Sequence, residues 1–198
     1  CAPSANTSSR PSPTMAQHVY DDLCGKIPVI LDGGRCPLGL ESTIISMTEN
    51  PPRVMRAGSV DVSAIEAVIG PVNKESVMID SLSSLKKPTH FVPKADLVFS
   101  AYYDGMFDEI ADYCDRMARS HGRRPVIFCT DGNAGRYGDR PVMKMGATVS
   151  EYAQSLFEKI REAEKENYDL IIAEGVPLGG LGMTLMSRLM KLSNGNVI

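Results

Sequence analysis

Apolar and polar residues alternate in two different rhythms along this chain. From Leu97 onward, short unbroken apolar runs are separated by longer amphipathic stretches. Leu97-Val98-Phe99, Pro125 to Cys129 and Leu170 to Ala173 read as buried strands, because a strand covered on both faces shows no polar alternation. Phe107 to Ser120 predicts an amphipathic helix and Leu181 to Leu192 a closing one. Thr148-Val149-Ser150-Glu151 is a capping box that opens a further helix through about Glu166. Strand–helix alternation of this kind predicts a small Rossmann-like, three-layer α/β/α sandwich around a mainly parallel sheet. Ligand crevices in such sheets lie beyond the carboxyl ends of the strands, which here carry Thr130-Asp131-Gly132 and Glu174-Gly175.

The first eighty residues are less regular. Ser12-Pro13-Thr14, followed by Val19, Leu23 and Gly25, predicts a short helix with Ser12 as N-cap, Pro13 in the first turn and Gly25 at the stop. Pro28 to Leu31 predicts a strand running into the turn Asp32-Gly33-Gly34. Ser42 to Met47 and Arg53 to Arg56 predict two more strands, separated by the turn Asn50-Pro51-Pro52. A helix over Val62 to Ile69 follows, capped by Asp61 and stopped by Gly70. The fold class is therefore mixed α/β. The chain divides into a first domain over 1–80, a polar linker over 81–94 that contains Ser83-Ser84, Lys86-Lys87 and Pro88, and a second domain over 95–198.

Composition narrows the function. The 198 residues are 43% hydrophobic and 23% charged with net charge −3, which is ordinary for a folded domain and unlike a disordered chain. No apolar run approaches the ~20 residues that span a bilayer. Twenty-one basic against twenty-four acidic residues argue against nucleic-acid binding through a bulk positive field. Cys1, Cys24, Cys36, Cys114 and Cys129 have no C-x-x-C spacing, so they read as reduced thiols of a cytoplasmic protein. His18 reads as a helix-surface residue and His121 as a helix C-terminal one; neither they nor His90 stand in a catalytic or metal-ligand setting. Cys1-Ala2-Pro3-Ser4 already lies inside a motif, which predicts a piece of a longer polypeptide.

Three clusters carry candidate chemistry. Pro3-Ser4-Ala5-Asn6-Thr7-Ser8-Ser9-Arg10-Pro11-Ser12-Pro13-Thr14 brings hydroxyls, an amide and an arginine to a predicted helix N-terminus. That combination suits a phosphate or carboxylate, although such composition also makes flexible loops. Gly33-Gly34-Arg35-Cys36-Pro37-Leu38-Gly39-Leu40-Glu41-Ser42-Thr43 places glycines before two hydroxyls at a strand mouth; it lacks the lysine of a P-loop, and a hairpin loop is its plainer reading. Arg56-Ala57-Gly58 ends a strand with an arginine that matters only if the fold brings it to the other two clusters.

In that order the three segments resemble the threonylcarbamoyl-AMP synthase family. Its pattern runs Pro-Ser-Ala-Asn, Pro-Ser-Pro-Thr, Asp-Gly-Gly, Gly-x-x-Ser-Thr and Arg-x-Gly. The likeness covers residues 1 to about 72 as the later part of a YrdC-like twisted-sheet catalytic domain. The remainder resembles the C-terminal domain of two-domain members, whose pattern Gly182 and Arg188 fit. The resemblance implies that ATP, L-threonine and bicarbonate are joined into threonylcarbamoyl-adenylate with release of pyrophosphate. A partner transferase complex then carries the group to tRNA. It implies nucleotide contacts by Ser4, Asn6, Ser12 and Arg56 and threonine or carbamoyl contacts by Ser42 and Thr43. No protein nucleophile, acid–base pair or protein metal site is implied, and magnesium accompanies ATP.

The chain departs from the pattern in three places. The upstream basic motifs that meet the ATP phosphates are absent, Ser9 replaces a usual glycine, and Pro88 stands where the family's lid tyrosine would be. The expectation is a chain without turnover on its own. A non-enzymatic module for double-stranded RNA or nucleotide is the alternative. Transfer from carbamoyl phosphate is a third reading, disfavoured by the lack of paired C-x-x-C sequences.

Overall fold

In a computed structural model, residues 5–8, 10–74, 93–101 and 105–198 are described. Ser4, Ser9 and almost all of the expected linker, including Pro88 and His90, lie outside them.

The second region is built around the apolar runs. Strands β3 (Asp96–Phe99), β4 (Pro125–Cys129), β5 (Val142–Lys144) and β6 (Leu170–Ala173) form one parallel sheet in the order β3-β6-β4-β5. Every residue of β4 and β6 is buried, which is why their sequences never alternate. Alternate side chains serve opposite faces. Leu97, Phe99, Val126, Phe128, Ile171 and Ala173 pack towards α4 (Val149–Lys165) and α5 (Leu181–Leu192). Val98, Ile127, Cys129, Leu170 and Ile172 pack towards α3 (Phe107–His121). The result is the expected three layers. The predicted capping box is present: Thr148 Oγ1 accepts from Glu151 N–H at 3.2 Å, and Glu151 Oε2 accepts from Thr148 N–H at 3.0 Å. Strand β5 is an addition to the expected elements. It is three residues long and follows Pro141, too short to show a period.

The first region has one antiparallel ribbon, β1 (Ile44–Ser46) against β2 (Arg53–Arg56), with Ser46 opposite Arg53. Helix α2 (Val62–Ile69) has the expected cap, Asp61 Oδ1 accepting from Ser63 N–H at 2.8 Å. Helix α1 (Ala16–Leu23) differs from expectation: its N-cap is Met15, three residues beyond Ser12, with no side-chain cap. Pro11 and Pro13 disfavour helical backbone at the residues before them, so 10–14 stays non-helical. No strand forms over Pro28 to Leu31. A strand needs a neighbour to pair with, and none lies alongside among the described residues; Val29 is 67% and Leu31 92% exposed. His18 is buried rather than on the surface, at 6% exposure.

The burial of His18 has a direct cause: the second region covers the first. Helix α4 runs beneath segments 10–22 and 35–39. Arg161 donates to both carboxylate oxygens of Asp22 at 2.9 and 2.8 Å and to the Pro11 carbonyl at 2.7 Å. Arg10 pairs with Glu164 at 2.8 Å, and Arg35 pairs with Glu158. Gln154 Nε2 donates to the carbonyls of Cys36 and Pro37, each at 3.1 Å. Between them sits Gly39, where a Cβ would overlap the backbone of Ala153 and Gln154. Only glycine permits that approach. Helix α5 reaches the rest of the first region through Arg188, which meets Glu41 at 2.6 Å.

Candidate functional site

One cavity of about 690 Å³ opens where these segments meet, lined by Asn6, Ser8, Arg10, Ser12, Thr14, Gly39, Glu41, Ser42, Arg56 and, from α4, Phe157. Four of the expected site residues, Asn6, Ser12, Ser42 and Arg56, therefore share one wall system although 50 positions separate the first from the last (6 to 56). Ser4 lies outside the described residues. Thr43 sits one residue beyond the lining, its hydroxyl engaged by backbone, donating to the Val60 carbonyl at 2.8 Å and accepting from Gly58 N–H at 3.1 Å.

Each wall is held by its own backbone. Asn6 Nδ2 donates to the carbonyls of Thr7 and Arg10, both at 3.0 Å. Its Oδ1 is buried and has no partner among the described residues, an arrangement that normally costs about 1–3 kcal/mol and so marks a place for a donor from elsewhere. On the opposite wall, Gly58 lies against the Glu41–Thr43 backbone so closely that a Cβ would overlap it. Ser59 N–H donates to the Glu41 carbonyl at 2.9 Å. Arg56 donates through Nε and Nη2 to the Ser42 carbonyl at 3.1 and 2.9 Å, leaving Nη1 with no partner among the described residues. The hydroxyls of Ser8, Ser12 and Ser42 likewise have no partner among them.

Thr14 completes the wall beside His18. Its N–H donates to His18 Nδ1 at 3.2 Å, and its Oγ1 lies 3.3 Å from the same nitrogen. A backbone N–H can only donate, so Nδ1 accepts and the ring is neutral with its proton on Nε2. Burial, aided by the Arg161 charge, lowers the His18 pKa and favours that form. The Arg161 hydrogen bonds hold the Asp22 carboxyl below its usual range. Burial and the nearby Arg56 charge lower the Arg188 pKa, and Glu41 opposes them.

Hydroxyls and two arginines facing one space provide donors for a phosphoryl or carboxylate oxygen, and the Cys36 thiol lies on the same wall. Among the described residues no three His, Cys, Asp or Glu side chains gather as a metal site. Glu41, the only carboxylate on the cavity wall, is already paired with Arg188. The residues present do not build a magnesium site. Sequence reasoning named Glu41 within the second cluster but missed Phe157, Arg161 and Arg188 as parts of this neighbourhood. The contacts run between segments more than a hundred residues apart, and no spacing signals them.

Fold and cavity define a two-part α/β protein with a donor-rich site at the seam between its parts. A family model described as "Threonylcarbamoyl-AMP synthase, C-terminal domain" matches residues 60–193, and one described as "Telomere recombination" matches 1–58. The chain belongs to the threonylcarbamoyl-AMP synthase family. It is similar to the threonylcarbamoyl-AMP synthases of Pyrococcus abyssi, at 36% identity, and Bacillus subtilis, at 37%, over 100% of this chain and 58% of each relative. The Schizosaccharomyces pombe enzyme is 30% identical over 98% of this chain and 52% of its own. The chain thus spans little more than half the length of the curated relatives it matches. Its structure resembles the crystal structure of P. abyssi Sua5 complexed with L-threonine, with TM-score 0.84 and 32% identity over 100% of this chain and 58% of that one. Among the described residues no helix is long and apolar enough to cross a membrane.

Proposed function

We propose that the cavity is the hydroxyl-rich half of a threonylcarbamoyl-AMP synthase site, in which L-threonine, bicarbonate and ATP become threonylcarbamoyl-adenylate and pyrophosphate. The observation that carries this reading is the convergence of Asn6, Ser12, Ser42 and Arg56 on one cavity in a chain of that family. Asn6, Ser12 and Arg56, with Ser4, take the nucleotide side, and Ser42 and Thr43 the threonine or carbamoyl side.

The reaction asks little of a nucleophile. The threonine amine adds to bicarbonate and water leaves, giving a carbamate; a carbamate oxygen then attacks the α-phosphorus, the bond to the β-phosphate oxygen breaks, and pyrophosphate leaves with the electron pair. Negative charge grows on the phosphoryl oxygens. Arg56, whose guanidinium is anchored on the Ser42 carbonyl, and the wall hydroxyls are donors able to stabilise that charge. Basic groups for the β- and γ-phosphates are left, on this reading, to sequence upstream of the matched part, since the chain spans 58% of its relatives' length. The product passes to a tRNA-modifying transferase complex in the cytoplasm. Magnesium accompanies the ATP phosphates on this reading. The duplex-RNA reading gains no support from the charge distribution: Arg10, Arg35, Arg123, Arg140 and Arg188 are each held by a carboxylate.

The test is pyrophosphate release from ATP, dependent on threonine and bicarbonate. The 198-residue chain is expected to show none, and a chain extended upstream as in the relatives is expected to turn over. Threonine-dependent release by the short chain, or none by the extended one, overturns the reading.

A further inference from the structure

We infer that Arg188, on α5 of the second region, is a positioning residue for the cavity in the first, holding Glu41 so that the next residue's carbonyl fixes the Arg56 guanidinium. The role assigned to Arg56 rests on the function proposed above; the geometry does not.

The chain of contacts is short and continuous. Arg188 Nη2 stands 2.6 Å from Glu41 Oε2 as an ion pair, a charge contact in which Oε2 accepts no directed hydrogen bond among the described residues. Glu41 precedes Ser42, whose carbonyl accepts both Arg56 Nε at 3.1 Å and Arg56 Nη2 at 2.9 Å. The Glu41 carbonyl is held from the other side by Ser59 N–H at 2.9 Å, with Gly58 pressed against the same backbone. The Glu41–Ser42 peptide is therefore gripped at its carbonyl from within the first region and at its side chain from the second. Arg188 is mostly buried, with 14% of its side chain exposed, and it does not line the cavity whereas Glu41 and Arg56 both do. It acts through a neighbour, and the neighbour is part of the wall.

Two arginines this close repel, and Arg56 does disfavour the charge on Arg188. The Glu41 carboxylate between them makes the arrangement tenable, because a buried guanidinium needs a partner. One carboxylate thus serves both the docking of α5 and the placement of the cavity's arginine. The same helix touches the first region a second time. A Cβ on Gly180, at its N-terminus, would lie 2.7 Å from Asp61 Oδ2, so α5 comes close to the first region at two points, before β1 at Glu41 and after β2 at Asp61. A domain that served only as an appendage would need neither contact.

The experiment follows the Arg56 Nε–H resonance in the 15N-labelled 198-residue chain, in Arg188→Met, Arg188→Lys, Glu41→Gln and the Arg188→Met/Glu41→Gln double variant. Arg188→Met and Glu41→Gln are expected to move it towards the position of a solvent-exposed arginine, by the same amount singly and together. Arg188→Lys is expected to retain most of the original position. An unmoved resonance in Glu41→Gln, or additive shifts in the double variant, overturns the inference. If Arg188→Met does not fold, Glu41→Gln decides alone. In the chain extended upstream, Arg188→Met is expected to lower kcat/KM for ATP roughly tenfold at an unchanged folded fraction, with Arg188→Lys restoring most of it. An unchanged kcat/KM, or a fall matched by loss of folded protein, also overturns it. If the extended wild-type chain shows no turnover, the proposed function fails while the Arg56 resonance still decides the positioning role.

Discussion

The two regions of this molecule are stabilised by different means. In the second, strands β4 and β6 are buried at every position and two apolar clusters fill both faces of the sheet. In the first, the buried apolar side chains among the described residues are Leu40, Val54 and Val72, and α2 buries none of its residues. A region with so few buried apolar groups gains little from the hydrophobic effect by itself. What secures it is charge and hydrogen bonding to α4 and α5: Arg161 to Asp22 and Pro11, Arg10 to Glu164, Gln154 to Cys36 and Pro37, and Arg188 to Glu41. The cavity lies on the side that borrows its stability. Site geometry in the first region, set locally by its own backbone contacts, therefore also depends on the second region's surface.

The largest break in that dependence comes at Arg161. Its side chain and that of Asp22 are 8% and 6% exposed. Arg161→Met keeps the buried stem and removes the charge, leaving Asp22 and the Pro11 carbonyl buried without their donor. Breaking such a pair from one side costs about 3–5 kcal/mol. Urea unfolding measures the total, and hydrogen exchange locates it. Amides of α1 and of segment 10–14 are expected to lose protection while those of β4 and β6 keep theirs. Equal losses in both regions would show that the two unfold together and that the contrast drawn above is wrong.

A smaller, steric break lies at Gly39. Its missing Cβ is what lets segment 36–40 touch the α4 backbone, where no flexible side-chain end is available to yield. Gly39→Ala is expected to cost about 1–3 kcal/mol, as overpacking does. It should also part the loop from α4, so the Gln154 side-chain amide, now bound to Cys36 and Pro37, becomes free in amide-proton spectra. A variant with unchanged stability and an unmoved Gln154 amide would mean the loop is supported from elsewhere.

How much of this was legible in the sequence follows the same division. The three apolar runs, the Thr148–Glu151 box and the Val62–Ile69 helix are local signals, and the structure has them where the pattern put them. The departures cluster in the first region. The helix near Ser12 begins late because two prolines hold the chain extended. The apolar run Pro28–Leu31 forms no strand because a strand is a property of two segments rather than one. His18 looked like a surface residue because its helix was read alone, before α4 was laid across it. The cavity itself was legible only as three clusters in order. Their convergence depends on Gly39, Gly58 and Arg161, each of which reads as ordinary until its distant partner is known.

The finest test of the borrowed support is pH, and its sign can be worked out from His18. The unfolded chain titrates this ring near 6.5; in the folded protein the pKa is lowered, first by burial and then by Arg161, against the opposing charges of Glu158, Asp21 and Asp22. Above about pH 6.5 the ring is neutral in both states and contributes no pH dependence. Below it the unfolded chain takes up the proton first, so stability falls as the pH drops, until the folded-state pKa is passed. The urea midpoint of the wild type is expected to decline from pH 7 towards pH 5, and His18→Gln should flatten part of that slope. The Hε1 resonance of His18 should titrate with a midpoint below 6.5. A midpoint above 6.5 would mean that the carboxylates outweigh burial and Arg161, and the slope would then reverse. Protonation also takes from Thr14 N–H its acceptor at Nδ1, and Thr14 is part of the cavity wall. Ligand affinity in the extended chain should therefore weaken over the same interval, with a midpoint that follows His18 rather than the ligand's own titration.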